Sequence, residues 1–239
     1  MDIFVKYGGV KPSDRVLDVG CGSGRMALPL TRYLTSGSSE GFDISPESIK
    51  WCQNNITAQF PDFKFQLADL ANTAYNPQSK HKAKDFRFPY PNQSFDFTFL
   101  TSVFTHMLPQ DLEHYTREIA RTLKPGGRAV ITFFILNEES ERLRTTPQSQ
   151  IRFEHPYEDG QVRVGQLENP EGVVAYPEAT VRRVLKRNGF GLVEPIYFGS
   201  WCGRSGTVTF QDLTISDRKS GALSSGSIVG WFRQLSGLS

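Results

Sequence analysis

The 239-residue chain is poor in cysteine. Cys21, Cys52 and Cys202 are the only three, widely spaced and without a C-x-x-C pair. An odd, scattered set of this kind excludes a disulfide framework and a thiolate zinc cluster. Net charge is also scarce, +2 from 27 basic and 25 acidic side chains, so no whole-molecule field draws the chain to nucleic acid or an anionic membrane. No stretch approaches the ~18 uninterrupted apolar residues of a membrane-spanning helix. Met1 to Val10 lacks a basic-then-apolar export signal. The expectation is a cytoplasmic chain with one sizeable core and no membrane span.

What is present is alternation. Short apolar runs at Arg15 to Val19, up to Phe42-Asp43, Phe63 to Leu67 and Phe95 to Thr101 are separated by helical patterns. These patterns cover about Gly24 to Leu34, the stretch after Ser45-Pro46 with Ile49, Cys52 and Ile56, and the stripe Leu108, Leu112, Tyr115, Ile119 and Leu123. Lys124-Pro125-Gly126-Gly127 stops that stripe before a fifth run, Ala129 to Leu136. A helix opens at Tyr176-Pro177-Glu178 and stops at Asn188-Gly189. Gly191 to Phe198 and Thr207 to Ile215 then read as an antiparallel hairpin across the loop Gly199 to Gly206. This pattern predicts a three-layer α/β/α Rossmann-like domain over 1–219, with a seven-stranded, mostly parallel sheet whose last strand is antiparallel. Unpatterned insertions fall at about 70–94 and 137–175, and a Ser/Gly-rich tail covers 220–239.

The chemistry concentrates in Val16-Leu17-Asp18-Val19-Gly20-Cys21-Gly22-Ser23-Gly24, a glycine turn between a strand and a helix. Glycines there let the backbone approach a ligand closely. A dinucleotide fingerprint would need glycine at position 25, which is Arg25. Asp18 suits an amine better than a polyphosphate. Asp43 and Asp69, ending the second and third strands, suit a ribose diol and an exocyclic adenine amine. Three acids and a glycine turn along one sheet edge describe a pocket for a nucleoside carrying an amino acid.

These residues resemble the class I S-adenosylmethionine (SAM)-dependent methyltransferases. VLDVGCGSG matches the family's first motif, FDFTFLTSVFTHM its strand-four motif and LKPGGRAVITFF its helix-to-strand-five signature. The resemblance implies SAM as cofactor and S-adenosylhomocysteine (SAH) as product. It implies that Gly20, Gly22 and Gly24 shape the turn, that Asp18 and Thr101 lie near the methionine moiety, and that Asp43 binds ribose. Asp69 would lie near adenine, with Cys21, Ile44 and Leu70 among the same contacts.

His106, five residues past the fourth strand, is the candidate general base, since a neutral imidazole can take a proton from a hydroxyl. His155, Tyr157, Trp201 and Arg204, beside Arg163, are further acceptor-binding candidates because these loop residues combine aromatic faces with cationic forks, and Tyr7 is the candidate from the N-terminal side. No metal is expected. The strand-four end reads Leu100-Thr101-Ser102-Val103 rather than the D/N-P-P-Y/F of nucleic-acid amino methylation, and no paired-glutamate loop of the protein-arginine type is seen. A small molecule, lipid headgroup or saccharide methylated at oxygen is the expected acceptor, and nucleic acid is not. The rival readings are a SAM-binding protein without turnover, an RNA or protein methyltransferase using the basic-aromatic run Lys80 to Tyr90, and a nicotinamide oxidoreductase.

Only Met1 to Asp14 precede the first strand. Either the acceptor pocket is open with 137–175 as its lid, or part of the natural N-terminus is missing. The oligomeric state is unknown.

Overall fold

The structure, a computed structural model, describes residues 3–70, 79 and 81–220. The main sheet contains β1 (Arg15–Val19), β2 (Ser38–Asp43), β3 (Phe63–Leu67), β4 (Phe95–Leu100), β5 (Leu123–Phe133), β10 (Phe190–Tyr197) and β11 (Asp212–Arg218). Their order is β10-β11-β5-β4-β1-β2-β3. β1 to β5 pair in parallel and β11 runs antiparallel between β5 and β10, as the sequence predicts. The central strands are buried on both faces, which is why they read as apolar runs.

Two core layers clothe the sheet. On one face α1 (Ala27–Leu30) and α2 (Pro46–Cys52) bury Ala27, Leu30, Ile49 and Cys52 against Val16, Phe97 and Phe99, with Phe4 of a short N-terminal helical segment, Ile3–Gly8. On the other, α3 (Pro109–Thr122) and α5 (Glu178–Arg187) bury Leu112, Tyr115, Ile119, Val181 and Leu185 against Leu17, Phe95 and Ile131. Asp96 ties strand starts together: it accepts from the Arg15 amide at 2.9 Å and from Lys124 Nζ at 2.6 Å.

Five expectations need correction. The helix expected over Gly24 to Leu34 shrinks to α1, which starts late because Pro29 has no N–H for the Arg25 carbonyl and is tolerated only in a first turn. The fifth strand begins earlier and stops at Phe133. Ile135–Leu136 (β6) leaves the sheet, with the Ile135 amide captured by Asp212 Oδ2 at 2.6 Å. Residues 137–175 are not patternless. They form α4 (Glu138–Leu143) and the strands β7 (His155–Tyr157), β8 (Val162–Val164) and β9 (Val174–Pro177), which join β6 in a second sheet of order β6-β9-β8-β7. Tyr176-Pro177 thus ends a strand rather than opening α5. The last strand begins at Asp212, because Thr209 and Phe210 give their carbonyls to the amides of Ser200 and Trp201 instead. Residues 221–239 of the expected tail lie outside those described.

Asp212 joins β11, β6 and the 198–211 loop. Fully buried, it accepts from the amides of Ile135 and Gly199 (2.6 and 2.7 Å) and from Trp201 Nε1 at 2.8 Å, with Arg204 Nη1 at 3.6 Å. Burial pushes its carboxyl up to about 6, and the three donors and Arg204 pull the other way. Asp212→Asn keeps the shape but turns an N–H₂ toward these donors. At pH 8 a loss of about 1–3 kcal/mol is expected. Thermal unfolding of the variant should then fall by roughly 2–4 °C per kcal/mol; an unchanged melting temperature would show the network to be dispensable.

Candidate active site

The turn after β1 is held by backbone bonds. The amides of Gly20 and Cys21 both donate to the Phe42 carbonyl, at 2.9 and 3.0 Å, which anchors the turn on β2. Asp43, the last residue of β2, then bridges two loops: Oδ2 accepts from the Gly22 amide at 2.7 Å and Oδ1 from the Ser45 amide at 2.9 Å. Ser45 caps α2, its Oγ accepting from the Ser48 amide at 3.3 Å. Gly20, Gly22 and Gly24 all have positive φ, and the first two border the cavity. At Gly20, φ is +74° and a Cβ would stand 2.4 Å from Val103 Cγ2. At Gly22, φ is +49° and nothing lies within 4 Å of where a Cβ would be. That open side faces a cavity of about 380 Å³.

The cavity is lined by this turn, by Asp43, Ile44 and Ser45, by Leu70, and by the segment Thr101 to Met107 after β4. Ser102 has φ +59° and is fixed there, its amide donating to Thr132 Oγ1 at 2.9 Å and its hydroxyl accepting from Gln211 Nε2 at 2.9 Å. His106 Nδ1 lies 3.1 Å from the carbonyl of Glu171. A carbonyl only accepts, so Nδ1 carries the proton and Nε2 is left as the basic nitrogen. Asp111 and Tyr115 of α3 and Glu171 complete the wall. Burial raises Asp111 and Glu171 above the usual carboxylate range, and the charge of Asp111 adds to the rise at Glu171.

Of the cofactor residues expected from sequence, Gly20, Gly22, Asp43, Ile44, Leu70 and Thr101 line this cavity, as does His106. Asp18, Cys21 and Gly24 stand behind it. Asp18 is 1% exposed with neither oxygen hydrogen-bonded, and burial first, then the Asp43 charge, holds it protonated well above the usual range. Cys21 packs on Gly41; its hydrogen bond with Cys52 and its burial push the thiol up, so it is no nucleophile. Gly24 packs on Ile56 and Cys52. Asp69 is exposed and outside the lining.

The five other acceptor candidates are elsewhere. Tyr7 meets Tyr197 edge-on at 4.7 Å, packed against the core layer that α1, α2 and Phe4 form. Trp201 is fully buried and bonded to Asp212, and packs on Phe134 and Phe153. Arg204 lies over the Phe198 ring, donates to the Gly199 carbonyl at 2.9 Å and pairs with Glu139 at 2.7 Å. His155 and Tyr157 sit on β7, the outermost strand of the small sheet. Arg163 clamps the carbonyls of Phe153 and Glu154. In the basic-aromatic run, Phe88 and Tyr90 are core residues. Sequence reading missed Asp111, Tyr115 and Glu171. Asp111 carried only the signal of an acid in a first helical turn, which usually complements the helix dipole.

The residues fit a nucleoside with a charged amino-acid end: an open backbone turn, an acid at the second strand end, apolar Ile44 and Leu70 in the lining, and in Asp18, behind the turn, a buried carboxyl lacking a donor. Residues 17–131 match a family described as "Methyltransferase domain". The phthiotriol/phenolphthiotriol dimycocerosates methyltransferase of Mycobacterium leprae is 33% identical over 113 residues, 47% of this chain and 35% of that protein. The tRNA N(3)-cytidine methyltransferase METTL2 of Gallus gallus is 28% identical over 133 residues, 54% of this chain and 32% of that one. The chain thus spans about a third of the length of these relatives. A SAM-dependent methyltransferase from Methanosarcina mazei shares the fold with a TM-score of 0.61 at 19% identity, covering 90% of this chain and 97% of that one. Motif, sheet order and cavity agree: residues 17–131 belong to the methyltransferase domain family, on the fold of the SAM-dependent methyltransferases.

Proposed function

We propose that the chain methylates a small-molecule, lipid-headgroup or saccharide acceptor at oxygen, using SAM. The observation that carries this reading is the juxtaposition, in one cavity, of the Asp43-braced glycine turn and a His106 whose tautomer leaves Nε2 basic. When bound, SAM supplies an activated methyl group on a sulfonium for in-line transfer.

The chain's own part is binding, orientation and proton handling. Asp43 keeps lone pairs on both oxygens beyond those given to Gly22 and Ser45, so it can still accept from a ribose diol. Ile44 and Leu70 offer apolar faces for a base. Ser102 and Val103, fixed by Thr132, Gln211 and Gly20, set the floor against which an acceptor is held at near-attack distance. His106 Nε2 takes the hydroxyl proton as the oxygen attacks, and the Glu171 carbonyl stabilises the resulting imidazolium through Nδ1.

A tRNA substrate, suggested by the chicken relative, has less support. Phe88 and Tyr90 are packed in the core rather than free to stack on bases, and among the described residues no lysine or arginine lines the cavity.

Asp43→Ala should weaken SAH binding more than tenfold by calorimetry, since hydrogen bonds to a charged acceptor are worth about 1.5–3 kcal/mol each; unchanged affinity with an unchanged melting temperature would refute the ribose assignment. His106→Ala should lower kcat by about 10²-fold or more in an SAH-release assay with a hydroxyl acceptor. A variant with wild-type kcat would remove His106 from the chemistry.

A further inference from the structure

Three acids line the cavity, Asp43, Asp111 and Glu171, and among the described residues no lysine or arginine does. Asp43 is engaged with two backbone amides. Asp111 and Glu171 come from separate segments, the first turn of α3 and the turn Pro170–Gly172 before β9. They lie near enough to each other for the Asp111 charge to act on Glu171. Around Asp111, the Lys84 amide and charge and the His114 ring favour its ionised form, against burial and Asp85. His114 is itself tied to the Phe86 carbonyl at 2.7 Å and lies outside the lining.

A second observation comes from Tyr115. It lines the same cavity at 2% exposure, its ring meets Phe88 edge-on at 5.0 Å, and no hydrogen bond to a described residue satisfies its hydroxyl. Tyr115, Asp111 and Asp43 line one cavity, and the charges of both acids act on the phenol. The Tyr115 hydroxyl, reached from the cavity, is open to a ligand there, and two part-buried carboxylates facing one space are costly while both are ionised. One group serves all three: a cationic nitrogen, whose N–H bonds reach two carboxylates and a phenol oxygen at once.

We infer that Asp111, Glu171 and Tyr115 form a subsite for a protonated amine on the methyl acceptor, so that the substrate class is an amine-bearing hydroxyl compound. This rests on the methyltransferase reading above. His106, joined to Glu171 through its carbonyl, lies beside the subsite, so the hydroxyl to be methylated would sit near the amine that anchors it.

The test is calorimetry on the full chain saturated with SAH, titrated at pH 7 with tyramine and glucosamine and with their N-acetylated counterparts. At least one amine should bind tenfold or more tighter than its N-acetyl partner. An Asp111→Asn/Glu171→Gln double variant with wild-type melting temperature should lose that preference, and Tyr115→Phe should lower it severalfold. Equal binding of amine and amide, no binding of either amine, or a preference that survives the double variant would overturn the subsite. SAM and SAH affinities supply a second arm. If the acids serve the sulfonium instead, the double variant will weaken SAM tenfold more than SAH; the inference predicts an unchanged ratio. Failure of both SAM and SAH to bind the wild-type chain would overturn the methyltransferase reading itself, whereas SAH binding without amine preference overturns the subsite alone.

Discussion

Asp43 accepts hydrogen bonds from two loops that the sheet brings together but does not itself connect. Through Gly22 it fixes the turn after β1, and through Ser45 it fixes the start of α2. Without that brace the turn would be held by the Phe42 carbonyl and by the Cys52 thiol, which donates to the Gly22 carbonyl at 3.4 Å. The cost is a carboxylate at a cavity wall. Two backbone donors offset that cost, and the lone pairs that remain make the same residue a binding group. One side chain therefore builds the site and also occupies it.

The wall opposite is built by long-range packing. Tyr176, buried on β9, donates its hydroxyl to the Met107 carbonyl at 2.5 Å, which pins the segment carrying His106. The turn Pro170–Gly172 just before β9 delivers Glu171 to His106. The second sheet thus acts as a bracket for the cavity. Asp212 in turn anchors that bracket to the main sheet through β6 and the 198–211 loop. Trp201 and Arg204, which look from sequence like ligand-binding groups, serve this anchor.

The parallel strands and the glycine turn are legible in sequence because their causes are local. Strands buried on both faces need continuous apolar runs, and a turn with positive φ needs glycine. Pro29 was equally local, and the overlong first helix is a misreading of it. The three-residue strands β7 and β8 are a different matter, since they are too short for any period to show. Asp111 and Glu171 lie sixty positions apart, and the contact of the turn Phe104–His106 with the turn Pro170–Gly172 helps bring both to one cavity. An aromatic ring with a cation in a loop reads the same whether it binds a ligand or clamps a buried aspartate, as Trp201 and Arg204 do. The signal that separates the two, an acid at position 212, lies across a loop whose path the sequence does not disclose.

The central claim is that the Asp43-braced turn is the nucleoside end of a SAM site. The most direct measurement is a titration of the ¹⁵N-labelled chain with SAH followed by two-dimensional NMR. The account predicts saturable shifts of the Gly20, Gly22, Ser45 and Thr101 amides, and no comparable shifts with NADH. Shifts confined to other parts of the sheet, or the same amides responding to NADH and not to SAH, would contradict it.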